Sequence, residues 1–331
     1  MKKKIALLYG GASNEHDVSV MGYEYVMKLL EDTEYDVLPV YIDKDKEWTA
    51  EIGGSHLKVC PKKQRFGGLC TDNGFIRIDA AIPLLHGDGG EDGSVQGALE
   101  CAGIPYVGAD VTTSAICLDK AFTKTVAESL SIPTVRSVSP KRYEDTERAL
   151  EICSRVIGFP MFIKPRRLGS SVGAYPIFNT DDFRRCYPLS IKVGGGLVII
   201  EEYVKNKREM ECAFVEMNGE RIITPPGEIL IGGFYGYGEK YSGKTRTVPR
   251  AQADDSIIRT MMNYCESLAN ALMLRHLARI DFFLSDEKIL FNEINTFPGF
   301  TQESLYPKML ASIGIEPRTA LISFIKEVLA W

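Results

Sequence analysis

A chain of 331 residues, 45% of them hydrophobic, has enough apolar material for more than one core, so two or three domains are expected rather than one. The formal net charge of -5 and a pI near 5.6 argue against nucleic acid as a partner, because a surface that tracks phosphates carries a basic excess. No apolar run reaches the roughly 18 residues of a membrane span, and Ile5 to Tyr9 is too short for a signal peptide, so no membrane and a cytoplasmic location are expected.

Lys3 to Tyr9 is an apolar run suited to a parallel strand, and Gly10-Gly11 turns it into a helix that Ser13 or Asn14 could cap. Glu15 falls in the first turn, where an acid also suits the helix dipole, so position alone leaves its role open. Tyr35 to Ile42 and Ala80 to Leu85 read as further strands, the second running into His86-Gly87 and the loop Asp88 to Gly93. Such an α/β unit binds ligands at its strand ends. Neither glycine turn gives G-x-G-x-x-G, which weighs against a nicotinamide oxidoreductase. A domain boundary is expected between about Gly108 and Ala121, with a helix from Asp119-Lys120 that ends by Ile132-Pro133.

Phe159 to Lys164 is a strand, followed by a loop to Gly173 that returns into Ala174 to Phe178. The Gly169-Ser170-Ser171 segment is unremarkable as a turn, yet it offers backbone N–H groups and two hydroxyls to a phosphate, with Lys164 and Lys120 as ammonium partners. Leu197 to Tyr203 is an apolar strand that becomes Glu201-Glu202, a pattern open to an edge strand or to a nucleoside contact. Glu211 to Glu216 and Arg221 to Glu228 continue the sheet. Leu230 to Thr247 is a long loop, and its Tyr235, Tyr237, Lys240 and Tyr241 favour a lid over a disordered segment. Asp254 to Leu274 is an amphipathic helix, and Pro317 to Leu329 is the last one.

Between them lies Ala278 to Met309, two short strands, a Pro298-Gly299 loop and a helix start. Arg279 and Asp281 alternate with apolar neighbours, as do Glu293 and Asn295 on the second strand. A hairpin with Asp281 opposite Glu293 puts Asp281, Glu293 and Asn295 on one face, with Asp286-Glu287-Lys288 as a three-residue loop. Three hard oxygen donors suit Mg²⁺ with room for water and phosphates, against the plainer reading of a solvated face. Eight cysteines without a C-x-x-C pair read as reduced and mostly buried, and four histidines show no zinc spacing.

With these residues in place, the chain resembles the D-alanine:D-alanine ligases of the ATP-grasp superfamily over nearly its whole length. The resemblance rests on Gly10 to Ser19, on His86 to Gly93, on Lys164 to Gly173, and on Arg279 to Asp281 with Asn292 to Thr301. It implies a mixed α/β ATP-grasp fold with an N-terminal parallel-sheet α/β substrate domain over 1–110, a central subdomain over 111–205, and a C-terminal subdomain over 206–331 with the metal site and lid. Lys120, Lys164, Ser171, Glu201, Tyr203, Val204, Glu209 and Asn292 would contact ATP, and Asp281, Glu293 and Asn295 would hold two Mg²⁺, with Mn²⁺ as a substitute. Glu15 would bind the first D-alanine's ammonium, linked to Ser170 and Tyr241, while Gly299 and Arg279 would serve the oxyanion. His86, Lys240, Ser304 and Leu305 would complete the substrate pocket.

The implied activity is ATP-dependent joining of two D-alanines through an acyl phosphate, for peptidoglycan precursor synthesis by a homodimer. The rival within the family is a D-alanine:D-serine or D-lactate ligase. Leu305, where those relatives often carry Arg, favours D-alanine, as does the Glu239-Lys240-Tyr241 run. Outside the family, a nucleotide-binding regulator without activity would be expected to lack Glu15, Arg279 or a metal donor, and none is missing.

Overall fold

The computed structural model describes residues 2–230 and 246–330. Its first sheet is built on β1 (Lys3–Gly10), paired in parallel with β2 (Tyr35–Ile42) on one side and with β8 (Ala80–Pro83) on the other. Two antiparallel strands, β3 (Trp48–Ile52) and β4 (Ser55–Lys58), extend it in the order β4-β3-β2-β1-β8. The continuous apolar run in β1 follows from burial on both faces. Ile5 and Leu7 pack with Val26 and Leu30 of α1 (His16–Leu30), while Ala6 and Leu8 pack with Val95 and Leu99 of α2 (Ser94–Ala102). Glu15 itself is the N-cap of α1, and it makes no side-chain cap bond; Ser13 Oγ accepts from the Glu15 N–H instead of capping the helix. A small antiparallel ribbon of β5 (Cys60–Lys63), β6 (Gly67–Thr71) and β7 (Gly74–Arg77) hangs beside this sheet, unforeseen from the sequence.

After α3 (Val111–Leu118) comes α4 (Lys120–Ser129), shorter than expected at its C-terminal end. Asp119 ends one helix and caps the other, accepting from the Ala121 N–H. The second sheet has the order β11-β10-β12-β9 and is antiparallel throughout, with β9 (Ser137–Val138), β10 (Met161–Pro165), β11 (Tyr175–Ile177) and β12 (Val198–Glu202). Helices α5 (Thr146–Val156) and α6 (Thr180–Val193) share its core.

The third sheet is centred on β13 (Arg208–Met217), which alternates strictly: Met210, Cys212 and Phe214 face one core, Ala213 and Val215 the other. The expected strand Arg221 to Glu228 is broken into β14 (Glu220–Ile223) and β15 (Gly227–Leu230), because Pro225 and Pro226 cannot donate to a ladder. The short β16 (Arg246–Val248) pairs with β15. Helix α7 (Asp255–Ala271) covers one face; α8 (Leu305–Ser312) and α9 (Pro317–Leu329) fill the other and continue into the core under β1. First and third sheets therefore share one apolar core. Where the chain leaves the first sheet, Gly108 is gripped on both backbone groups: Arg275 Nε donates to its carbonyl at 2.7 Å, and its N–H donates to His276 Nδ1 at 3.0 Å.

The hairpin β17 (Leu277–Ser285) and β18 (Lys288–Asn295) places Asp281 opposite Glu293, as the alternation requires. Its turn corrects the expected three-residue loop. Lys288 pairs with Ser285, leaving Asp286 and Glu287, both at positive φ as a type I′ turn demands. The register then shifts between Asp281 and Phe282, so Asn292 is the extra residue of a β-bulge. Phe291 and Ile294 can thus both enter the core while Asn292 and Glu293 are left together for the polar side.

Candidate active site

A cavity of about 750 Å³ opens where the three sheets meet. Glu15, His86, Lys120, Ser170, Arg279, Glu293, Asn295, Gly299, Ser304 and Leu305 of the expected site all line it. The first loop and the Gly169-Ser170-Ser171 loop meet there directly: Ser170 Oγ donates to Glu15 Oε1 at 2.5 Å across 155 residues of sequence. Gly169 allows this approach, since a Cβ there would lie 2.9 Å from Glu15 Oε2. Ser170 and Ser171 both hold positive φ, a cost that L residues accept where neighbouring structure fixes the loop.

His86 is buried, and its Nδ1 hydrogen-bonds the Phe297 carbonyl at 3.0 Å. That bond assigns the proton to Nδ1 and leaves Nε2 a buried acceptor with no hydrogen-bond partner among the described residues. Burial holds the ring's pKa below its ordinary value, so the imidazole is neutral at pH 7. Beside it lies Glu91, which the sequence reading passed over as part of a glycine loop. One oxygen accepts the Gly87 N–H and the other the Phe297 N–H, both at 2.9 Å, so a single carboxyl ties the first loop to the loop after β18. Burial outweighs those two bonds and pushes its pKa up to about 7.

The expected metal face has its own charge balance. Arg279 forks onto Asp281, Nε to Oδ1 at 2.8 Å and Nη2 to Oδ2 at 2.7 Å, with Glu211 3.3 Å away. Burial alone would lower the guanidinium's pKa, but these carboxylates raise it well above its ordinary value. The Asn295 amide donates to Asp281 Oδ2 at 3.2 Å, and Lys120 Nζ is 3.1 Å from Glu293 Oε2. Among the described residues no three His, Cys, Asp or Glu side chains gather as a metal cluster; the set here is two carboxylates and an amide. Glu293 and Asn295 line the cavity and Asp281 is buried beside them; hard oxygen donors of this kind, few in number, fit a divalent cation that keeps positions for phosphate oxygens.

Behind the cavity runs a second polar line. Lys164 Nζ lies 2.9 Å from Glu201 Oε2 and donates to Asn292 Oδ1 at 3.1 Å, a contact that the bulge makes available. Lys124, missed in the sequence, takes the other oxygen of Glu201 at 3.0 Å and donates to the Val135 carbonyl at 3.1 Å. Desolvation would raise the pKa of Glu201, but the two ammonium groups win and bring it to about 2. Its spacing four residues after Lys120 on α4 was the available signal for Lys124. Asp119 fixes the start of this helix to the loop after β10 through Arg166, at 2.7 Å, and Arg167, at 2.9 Å.

Not every expected residue converges. Tyr203 packs against Phe178, ring centres 5.7 Å apart, and Glu209 pairs with Lys207 at 2.9 Å. Neither these two nor Val204 and Ser171 line the cavity, and Lys164, Glu201, Asn292 and Asp281 are also absent from its wall. Lys240 and Tyr241, and with them the expected lid, fall outside the described residues. At the far end Ser304 stands at the N-cap position of α8 but turns its hydroxyl to Thr301 Oγ1 at 2.8 Å, while Leu305 is a buried apolar wall. A Cβ on Gly299 would sit 3.1 Å from Ser304 Oγ, so the glycine keeps that edge open.

Comparison with known proteins agrees with this geometry. Residues 4–109 match the family model described as D-ala D-ala ligase N-terminus, and residues 126–326 the D-ala D-ala ligase C-terminus. The chain is 36% identical to the D-alanine--D-alanine ligase of Thermoanaerobacter sp. (strain X514), covering 97% of this chain and 94% of the relative. Among solved structures, D-alanyl-alanine synthetase A from Vibrio cholerae superposes with a TM-score of 0.89 at 34% identity, covering 100% of each chain. The VanG D-Ala:D-Ser ligase from Enterococcus faecalis has a TM-score of 0.89 at 31% identity, covering 99% of this chain and 100% of that one.

Proposed function

Because the chain belongs to the D-alanine:D-alanine ligase family, whose fold is ATP-grasp, we propose that the cavity between its three sheets is where two D-alanines are joined at the expense of ATP. The observation that carries this reading is the Glu15–Ser170 bond, which brings the first loop and the phosphate loop to one point beside Arg279 and Lys120. A carboxylate has no leaving group, so it must accept the γ-phosphoryl of ATP before an amine can displace its oxygen. Lys120 and Lys164 neutralise phosphate charge during that transfer, which depends mainly on positioning. Glu15 holds the ammonium of the first D-alanine, with Ser170 fixing the carboxylate that does so. The acyl phosphate is then attacked by the second amine. Arg279 and the Gly299 N–H receive the charge that develops on the carbonyl oxygen.

Lys164, Glu201, Asn292, Tyr203, Val204 and Glu209, with Ser171, form the nucleotide side, and Lys124 keeps Glu201 in place. Asp281, Glu293 and Asn295 are the residues that would hold two Mg²⁺, which supply positive charge to the phosphate oxygens when bound. Lys240 and Tyr241, outside the described residues, are assigned to the substrate side of the reaction. His86, Ser304 and Leu305 form the acceptor side, with D-alanine as acceptor because Leu305 offers a methyl-sized apolar wall; D-serine is the second reading, supported by the similarity to a D-Ala:D-Ser ligase. The domain division 1–110, 111–205 and 206–331, a homodimeric state and a cytoplasmic setting complete the proposal; no helix among the described residues is long and apolar enough to cross a membrane. Phosphate release with ATP, Mg²⁺ and D-alanine, against L-alanine as control, tests it. Equal release with both enantiomers, or none with either, would overturn it.

A further inference from the structure

The ribbon β5-β6-β7 lies apart from the cavity and carries two cysteines on neighbouring strands. Cys60 of β5 pairs directly with Cys70 of β6, so the two side chains rise from the same face. Cys60 is exposed and Cys70 half-buried, and both are free thiols. Cys101, on α2, is exposed too, but no cysteine is paired with it across a strand. Cys117, Cys153, Cys186, Cys212 and Cys265 are all buried, including the touching pair Cys212 and Cys265. We propose that Cys60 and Cys70 are a reversible thiol–disulfide site, closed by low-molecular-weight disulfides such as oxidised glutathione.

Backbone geometry decides how readily such a bond opens again. The Ile78 N–H donates to the Gly67 carbonyl, which turns the Gly67 backbone toward β7. Alternation along β6 then turns the Gly68 and Cys70 backbones toward β5, so Cys60 and Cys70 are a pair that exchanges main-chain hydrogen bonds. Opposed residues of that type have Cα atoms about 5.5 Å apart, within the range a disulfide spans. Their Cβ atoms stand near the wide end of about 4.5–5.5 Å, and a disulfide wants about 3.8 Å, so closure must bring the two Cβ atoms together by roughly 1.5 Å. A bond made under that strain, at an exposed position, belongs to the labile class that thiols reopen.

The chemistry balances without any further reactant. The Cys60 thiolate, the accessible one, attacks one sulfur of the small disulfide, breaks its S–S bond and expels one thiolate. The Cys70 thiolate then attacks the Cys60 sulfur of this mixed disulfide and expels the second. Two protein thiols have lost two electrons, the small disulfide has gained them, and the two protons end on the released thiols.

Intact-mass analysis after incubation with oxidised glutathione, acid quenching and alkylation tests the site. Alkylation at positions 60 and 70 should disappear together, and peptide mapping should join 60 to 70 in a species two hydrogens lighter than the two thiol peptides, whatever adduct the exposed Cys101 takes; dithiothreitol should restore both positions. In Cys70→Ser the same treatment should leave a glutathione adduct on Cys60, with ligase turnover unchanged as the check on folding. Separate glutathione adducts on Cys60 and Cys70 in the wild type would overturn the proposal, as would two thiols that stay alkylatable throughout.

Discussion

Glu91→Gln separates what this buried carboxyl does by shape from what it does by charge. Glu91 accepts N–H bonds from Gly87 and Phe297, yet burial raises its pKa from 4.5 to about 7. Between those values the folded protein binds more protons than the unfolded chain. The stability from this group is therefore complete below pH 4.5 and is lost as pH rises through about 7. Integrated from about pH 5 to about pH 8, the wild type loses roughly 2.5 kcal/mol through Glu91 alone. Glutamine does not titrate, and its amide can accept only one of the two N–H bonds, a constant cost of about 1–3 kcal/mol. Urea unfolding of both proteins across this range isolates the effect, because groups such as Glu201, held at about 2, are common to both and cancel. The wild type's advantage over the variant should shrink by roughly 2.5 kcal/mol from pH 5 to pH 8. An advantage constant to within about 0.5 kcal/mol would show that Glu91 is ionised throughout and that the two N–H bonds outweigh its burial.

Glu15→Gln should lower turnover by orders of magnitude while moving the unfolding midpoint by less than about 1 kcal/mol of stability, since the side chain makes no cap bond; near-normal turnover would remove Glu15 from the site. Asp119→Ala leaves Arg166 without its buried partner and should cost about 3 kcal/mol in urea unfolding, toward the low end because Arg167 is half exposed. A loss below about 1 kcal/mol would mean the two arginines find water instead. With equal D-alanine and D-serine, mass-resolved products should be mostly D-Ala-D-Ala, the discrimination limited to about a hundredfold because an apolar wall rejects a hydroxyl weakly. Leu305→Arg should shift the mixture toward D-Ala-D-Ser, and an unchanged ratio would assign acceptor choice elsewhere.

What the sequence discloses is local. The bounds of β2 and α9 are those the apolar pattern suggests, and Asp281 faces Glu293 because period-two alternation on both strands leaves them no other face. The bulge at Asn292 is invisible in the same pattern, since a three-residue turn and a two-residue turn with a bulge both satisfy that pairing; only the Phe291 side chain, drawn into the core, decides between them. Glu91 and Lys124 escaped for a different reason. Their partners are 206 residues away at Phe297 and 77 residues away at Glu201; helical spacing from Lys120 marks the face Lys124 occupies, but no spacing along the chain names the distant partner of either residue. The ribbon of β5 to β7 was hidden by its composition, since Pro61, Gly67, Gly68 and Gly74 read as turn residues.

The grip on Gly108 bears on how this protein could be recombined with its relatives. Arg275 and His276 hold both backbone groups of Gly108 and lead at once into the strand that carries Arg279 and Asp281. A chimera crossed over just after the first sheet would inherit its linker from one parent and the clasp from the other. Exchange at that junction should therefore succeed when positions 108, 275 and 276 travel as a set, and otherwise yield a folded but misaligned pair of halves.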